Sequence, residues 1–434
     1  MLTYLVIAGR NLLKNRTRSL ILGSAIATVT LLVVIFVSLA SGIEHTILTN
    51  ALALSSGHVN IAGFYKISQT SAAPLVLKFP KLRKLAEKEI PEASLIIDRV
   101  KAWGKIISET GSVMIPMWGI DMKTEKEVLG LLDVVEGSLS ALEERGGIAL
   151  FETQAKKLSV KVGDGITISM PTYRNMSNTK DLKVVAVMRD VGIMSNFAVF
   201  FHKEDSREIY QMPADSTGQI MIFLKNFGDL KKIEDRLRKL IVDNGYRLMP
   251  AEPLPFWMKF DRVAGESWTG QQIDITNWRD ETAFMKWILD IFHALIFIMT
   301  GVLLFIVILG LVNALWMSIR ERTNEIGTLR AIGLQQRQVT VMFLLEAVLL
   351  SVSATGAGIV LGLVVTSLIN TLQIPITSDA VKMFLASNTL RLQARPGNLL
   401  AIFAIMTFCL SVGAIFPARA AGKMKPMTAI QKIT

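Results

Sequence analysis

Four runs without a single Asp, Glu, Lys or Arg constrain this chain more than anything else in it: residues 19–43, 291–319, 347–378 and 396–418. A helix needs about 20 apolar residues to cross a bilayer, because in lipid every backbone polar group must be satisfied within the segment. Each run reaches that length, so four transmembrane helices are expected. The interval between the first two is long and polar and belongs in water. A hydrophobic share of 51% beside 19% charged residues fits this division.

Charge sets the orientation. Arg10, Lys14, Arg16 and Arg18 precede the first run, Arg320, Arg322, Arg330 and Arg337 separate the second from the third, and Arg419, Lys423, Lys425 and Lys432 follow the fourth. Against them stand Glu321 and Glu325, so these rims carry nearly all of the net charge of +11. That is the positive-inside pattern: both termini and the 320–338 link are expected in the cytoplasm and the large segment outside. The remainder is close to neutral, which argues against a nucleic-acid surface. The outer loop departs mildly from the rule, with Lys382, Arg391 and Arg395 against Asp379.

Catalytic patterns are missing. The sole cysteine, Cys409, lies in the fourth run, so no disulfide within the chain can hold the external domain. His45, His58, His202 and His293 are far apart, and no G-x-x-x-x-G-K-[ST] sequence occurs. The expectation is a chain that is not an enzyme and binds neither cofactor nor metal.

Along the chain, Leu2, Leu5, Val6, Leu12 and Leu13 oppose Arg10, Asn11 and Lys14, the pattern of an interfacial helix. The first run, at 25 residues, exceeds the roughly 7–15 of a signal-peptide core, so it is read as a retained span. Ile43, Ile47, Leu48, Ala51 and Leu54 prolong its stripe outward as a stalk, and Phe284–Asp290, with Trp287 as an interface anchor, lead into the second span as another. Between them the periodicity predicts a mixed α/β domain. Strands are expected over Gly57–Gly63, Ser94–Ser108, Ser112–Ile120, Ile148–Phe151, Ile166–Met170, Leu182–Met188, Ala198–Phe201 and Gln219–Leu224, and helices over Pro80–Ile90, Glu152–Leu158 and Asp229–Asp243. Pro171–Asp181 reads as a polar loop too long for a hairpin, with Tyr173, Arg174 and Met176 as interface-type residues. Ala354, Gly358, Gly362 and Thr366 form a small-residue ridge for close helix packing. Glu346 has no second acid or histidine at its depth, which argues against a proton relay.

The link itself reads Arg320-Glu321-Arg322-Thr323-Asn324-Glu325-Ile326-Gly327-Thr328-Leu329-Arg330-Ala331-Ile332-Gly333. It resembles the E-R-x-x-E-I-G-x-L-R-A-I-G signature of the FtsX-like and MacB-like permeases, ATP-binding-cassette proteins of the mechanotransmission type. The resemblance implies a coupling helix that docks on a separate ATPase dimer through Glu321, Arg322, Glu325, Ile326, Gly327, Leu329, Arg330 and Gly333, with ATP and Mg bound by that partner. The turn Leu158–Asp164 is similar to one in the MacB-like periplasmic core domain, and Pro417–Ala421 with Pro426–Ile430 is similar to the family's ending.

Ser56–Ile61 and the 171–181 segment look more like the lipoprotein-releasing (LolC/LolE-type) permeases than the exporters. That likeness implies a bacterial inner-membrane protein that passes lipoproteins to a periplasmic carrier, with Tyr173, Arg174 and Met176 touching the carrier, beside a second permease chain, identical or homologous. A MacB-like exporter of drugs, toxins or peptides is the alternative, and an FtsX-like regulator of a cell-wall hydrolase is disfavoured by the size of the outer domain. The expected division is 1–18 cytoplasmic interfacial helix, 19–43 first span, 44–284 α/β domain with stalks, 285–319 second span, 320–338 coupling helix, 339–373 third span, 374–396 outer loop, 397–418 fourth span and 419–434 cytoplasmic tail.

Overall fold

Residues 16–54 form one unbroken helix in the computed structural model, which describes residues 2–14, 16–69, 71–226, 228, 230–378, 381–382, 385 and 387–424. The first half of the chain runs α1 (Leu2–Lys14), α2 (Arg16–Leu54), β1 (Val59–Ser68), β2 (Ser71–Ala73), β3 (Val76–Leu77), α3 (Phe79–Glu89), β4 (Ala93–Ile107), β5 (Ser112–Ile120), α4 (Met122–Leu129), β6 (Val134–Gly137), β7 (Gly147–Phe151), α5 (Glu152–Leu158), β8 (Gly165–Pro171), β9 (Ser177–Met188) and β10 (Phe200–His202). It continues through α6 (Lys203–Tyr210), β11 (Ser216–Thr217), β12 (Gln219–Leu224), α7 (Leu230–Asp243), α8 (Phe260–Gly265), β13 (Gly270–Asn277), α9 (Trp278–Glu281), α10 (Lys286–Glu321), α11 (Thr323–Ala331), α12 (Gln336–Leu372) and α13 (Pro396–Gly422).

Two compact units emerge. One takes in Met1–Glu44, Leu289–Pro375 and Thr389–Thr434; the other takes in His45–Ile288 and Ile376–Asn388. In the first, α2, α10, α12 and α13 are, among the described residues, the four helices long and apolar enough to cross a membrane. Their shared core joins Ile26, Val33 and Val34 of α2, Val307, Leu311 and Leu315 of α10, Ala347 and Ala354 of α12, and Met406, Leu410 and Ala414 of α13. The ridge Ala354, Gly358, Gly362 and Thr366 is buried. A Cβ on Gly358 would lie 2.6 Å from the Ala27 carbonyl oxygen and one on Gly362 2.8 Å from Val34, so α12 meets α2 almost backbone to backbone.

In the second unit an eleven-stranded sheet runs β13-β1-β12-β4-β5-β10-β7-β9-β6, with β2 on β1 and β8 bridging β4 and β9. Over the first four strands, Val59, Ile61, Ile220, Ile222, Ile273 and Ile275 form one face. It is covered by Leu82 and Ala86 of α3 and by Ile233, Leu237 and Ile241 of α7, spaced one turn apart. Directly paired residues of antiparallel strands share a face. The pairs Gln219↔Arg99, Ala62↔Gln219, Ala62↔Asp274 and Asn60↔Thr276 therefore put a second, polar layer on the opposite side. It too is buried. The far half of the sheet has its own core, in which Ile148, Leu150, Ile168 and Phe201 pack with Leu158 of α5 and Ile209 of α6.

The structure departs from the sequence reading at three places. The eleven-residue loop expected over Pro171–Asp181 is mostly strand: β8 runs to Pro171, β9 begins at Ser177, and only Thr172–Met176 connects them. Ser177–Asp181 looked like loop because it has no apolar residue. In the fold its polar side chains find partners: Lys180 on Asp205 at 2.9 Å and Glu208 at 2.7 Å, Asn178 on the Ile209 carbonyl at 2.9 Å, and Asp181 on Thr167 at 2.6 Å. Second, β2, β3, α4, β6, α6, β11, α8, β13 and α9 were not anticipated. Third, Ile376–Asn388, expected as part of a plain outer loop, belongs to the α/β unit, where Asn388 Nδ2 donates to the Asp190 carbonyl at 2.8 Å. The segment Pro426–Ile430 lies outside the described residues.

Candidate functional site

The polar link between the second and third spans folds as α11, and its sequence explains both ends. Thr323 Oγ1 donates back to the Ile319 carbonyl at 3.0 Å, carrying the turn out of α10. At the other end Gly333 takes φ +110°, a left-handed conformation that side chains disfavour, and the N–H of Leu334 returns to the Leu329 carbonyl at 3.1 Å. Gln338 Oε1 then accepts from the N–H of Gln335 at 2.8 Å and starts α12.

The inner side of α11 is fixed to the bundle. Ile326 and Gly327 are buried, Ile326 against Ile319, Val339, Met342, Phe343, Ala418 and Ala421. Arg322 is the hub: Nε donates to Glu325 at 3.0 Å, a terminal nitrogen donates to Glu346 of α12 at 3.3 Å, and the guanidinium stands over the Phe343 ring at 5.6 Å. Glu346 thus anchors the link. Arg18 of α2 reaches Glu321 at 2.9 Å, and Lys14 of α1 lies 3.8 Å from Glu325. The hydrogen bond from Arg322 holds the Glu325 carboxylate below the usual range, with Lys14 adding a smaller pull.

The outer side is what a partner could meet. Glu321, Asn324, Glu325, Thr328, Ala331 and Ile332 are exposed at helical spacing, and Ile332 is 76% exposed. Of the residues singled out from sequence, Glu321, Glu325 and Gly333 lie outward, Leu329 and Arg330 are half-buried, and Ile326, Gly327 and Arg322 hold the helix in place instead of presenting it. Asn324, Thr328 and Ile332 were missed. Their spacing was the available signal, since they occupy the face opposite Ile326.

The residues expected to touch a carrier sit in the β8–β9 turn. Asn175 has φ +63°, the N–H of Thr172 donates to the Met176 carbonyl at 2.7 Å, and Arg174 Nε donates to the Tyr173 hydroxyl at 2.8 Å. Tyr173 is half-buried against the far core, while Met176 is 61% exposed. Among the described residues no group of three His, Cys, Asp or Glu side chains could hold a metal ion.

Four apolar helices, a charged helix clamped between the second and third, and an α/β unit inserted between the first and second define a multi-pass membrane permease with an extracytoplasmic domain. Residues 19–240 match the MacB-like periplasmic core domain and residues 297–426 the FtsX-like permease C-terminal domain, so the chain belongs to the FtsX-like permeases that carry a MacB-like periplasmic core domain.

Among curated proteins it is 35% identical over 125 residues to the pyoverdine export ATP-binding/permease protein PvdT of Pseudomonas fluorescens, covering 28% of this chain and 16% of that protein. It is 31% identical over 124 residues to the macrolide export ATP-binding/permease protein MacB of Psychrobacter cryohalolentis, covering 29% and 17%. The match thus spans about a sixth of these relatives' length. The periplasmic region of MacB from Actinobacillus actinomycetemcomitans aligns over 55% of this chain and 97% of its own, at 13% identity and a TM-score of 0.32.

Proposed function

We propose that the chain is a mechanotransmission permease of a bacterial inner membrane. An ATPase dimer docks on the outer side of α11, and its nucleotide-driven rearrangement reaches the α/β unit through α2 and α10. One observation carries this reading: α11 is locked to the bundle from inside by Arg322, Ile326 and Gly327 while its charged face and Ile332 are left for a partner. A second permease chain, identical or homologous, completes the assembly.

The cargo favoured is a small exported molecule. The curated relatives are exporters of pyoverdine and of macrolides, which supports the export reading over lipoprotein release. The lipoprotein reading leaned partly on a long carrier loop, and Thr172–Met176 is of ordinary hairpin length. Contact of Tyr173, Arg174 and Met176 with a carrier remains the prediction of that second reading.

The test uses the full chain purified with its native ATPase in nanodiscs. Reversing charge with Glu325→Lys, or planting charge with Ile332→Glu, is expected to lower ATPase stimulation at least tenfold, because a desolvated charge pair or apolar anchor at an interface contributes about 2–5 kcal/mol. Protease resistance of the α/β unit stays unchanged. Full stimulation in both variants would sink the docking assignment, and stimulation by an acylated lipoprotein but by no small amphiphile would reverse the choice of cargo.

A further inference from the structure

One face of β4 meets the approaches to both long helices. Arg99 and Lys101 are two residues apart on that strand, so both side chains leave it on the same side. Arg99 is fully buried, and each of its three side-chain nitrogens is bonded. Its Nε donates to Glu125 Oε2 at 2.6 Å, and its terminal nitrogens donate to the carbonyls of Leu54 at 2.7 Å and Ala53 at 3.1 Å, the last residues of α2. Such carbonyls have no partner within their own helix, and a cation there also meets the negative end of the helix dipole. Glu125 is steadied in turn by the N–H of Asp121 at 3.2 Å.

Lys101 is held differently. Its buried ammonium is 3.8 Å from Glu281 Oε2 and makes no hydrogen bond among the described residues, although the rings of Phe256 at 4.6 Å and Trp118 at 5.0 Å face it. Glu281 closes α9, just ahead of α10, and its other oxygen accepts from Thr276 at 2.8 Å. On the sheet side, Asp274 is buried with Oδ2 bonded to Lys259 at 2.8 Å and Oδ1 without a partner. Gln219, across from Arg99 on β12, is fully buried, and among the described residues neither of its side-chain polar atoms is bonded. Each buried polar atom without a partner costs about 1–3 kcal/mol. Among the described residues this layer holds Lys101 Nζ, both Gln219 atoms and Asp274 Oδ1 in that condition.

We propose that this polar layer is a joint with one fixed half and one movable half. Arg99 clamps the end of α2 permanently, whereas Lys101 is a two-position latch that exchanges between Glu281, at the approach to α10, and the open oxygen of Asp274 in the sheet. The inference rests on reading α2 and α10 as stalks that carry motion.

Hydrogen exchange on the full chain in nanodiscs tests it. Peptides covering 278–285 report the latch through the N–H groups of Thr282 and Met285, and peptides covering 51–56 report the clamp through Ser55 and Ser56, which bond the Ala51 carbonyl. The double variant Lys101→Met, Glu281→Gln leaves no lone buried ion. It is expected to exchange at least tenfold faster over 278–285 and within twofold of wild type over 51–56. Arg99→Met is expected to act on 51–56 instead. The double variant Lys259→Met, Asp274→Leu removes the alternative position together with its buried ion partner while leaving both clamp and Glu281 contact, so exchange over 278–285 is expected to slow at least twofold.

Wild-type exchange over 278–285 in the Lys101→Met, Glu281→Gln variant, or equal acceleration of both segments, would overturn the proposal. If the Lys101→Met, Glu281→Gln variant fails to fold, unchanged exchange over 278–285 in Lys259→Met, Asp274→Leu does so by itself. No readout involves nucleotide or cargo. A chain that fails to stimulate an ATPase therefore counts against the proposed function and leaves the latch intact.

Discussion

On one side of β12, Ile220 and Ile222 disappear under α3 and α7; on the other, Gln219 and Met221 share a layer with Asn60, Arg99 and Asp274. Both sides exclude water equally, yet they respond to force differently. An apolar layer is held by volume and has one best packing, so any shift opens cavities on every contact. A charged layer is held by directional bonds, and where some of those are unmade the same groups can pair again after a shift. On the proposed reading, a domain moved by two helices needs a stiff back and a joint that can re-pair, and the two sides of this sheet fit those two roles.

Several substitutions would break or sharpen that contrast. The largest effect is expected from Arg99→Met, which strands Glu125 as a lone buried charge beside two open carbonyls. Losing one member of such a pair costs about 3–5 kcal/mol, read as a fall in the thermal unfolding temperature of the full chain in detergent by tryptophan fluorescence. An unchanged midpoint would mean that the clamp is replaceable by water.

Next comes Leu237→Ala on the apolar side, expected to cost about 2–5 kcal/mol by leaving a cavity under α7. Combined with Ile222→Ala its effect is expected to grow, since both residues line one core. The polar side predicts the reverse: Lys259→Met alone is costly, but adding Asp274→Leu recovers most of the loss, because removing a whole buried pair is often close to neutral. Simple additivity of Lys259→Met and Asp274→Leu would erase the distinction between the faces.

The smallest effect depends on pH. His58, next to β1, accepts the N–H of Leu224 on Nδ1 at 2.9 Å. Burial lowers its pKa from 6.5 to about 4. The folded state thus prefers the neutral ring, and the stability it lends is lost as pH falls from 6.5 towards 4. About 2 kcal/mol should go between pH 7 and pH 5. His58→Asn, which keeps an acceptor, is expected to flatten that slope, and equal slopes for the two proteins would show the ring to be a bystander.

Much of this architecture could be read from the residues because its signals were long. The four uncharged runs left little choice, and Gln219–Leu224 and Glu152–Leu158 fell where periodicity placed them. What escaped had ambiguous periodicity. In β13, Ile273 and Ile275 are the only two apolar residues of an alternation whose other members, Gln272, Asp274 and Thr276, read as solvent-facing. Asp274 and Thr276 instead face the charged layer, which only tertiary pairing creates. In α11 the spacing set Asn324, Thr328 and Ile332 apart from Ile326, but the neighbours that Ile326 meets on α12 and α13 became visible only in the fold.

Helix α2 runs without a break from Arg16 to Leu54, and Arg99 grips its last carbonyls. Such a strut has a phase as well as a length. One residue inserted between Ser41 and Leu54 would swing those carbonyls through about 100° and advance them by about 1.5 Å, out of reach of a guanidinium fixed on β4. Three, four or seven added residues come close to restoring the phase. The stalk can therefore change length only in steps near whole turns, whereas the Thr172–Met176 turn can grow one residue at a time. Homologous chains that keep the arginine should differ in stalk length by those steps.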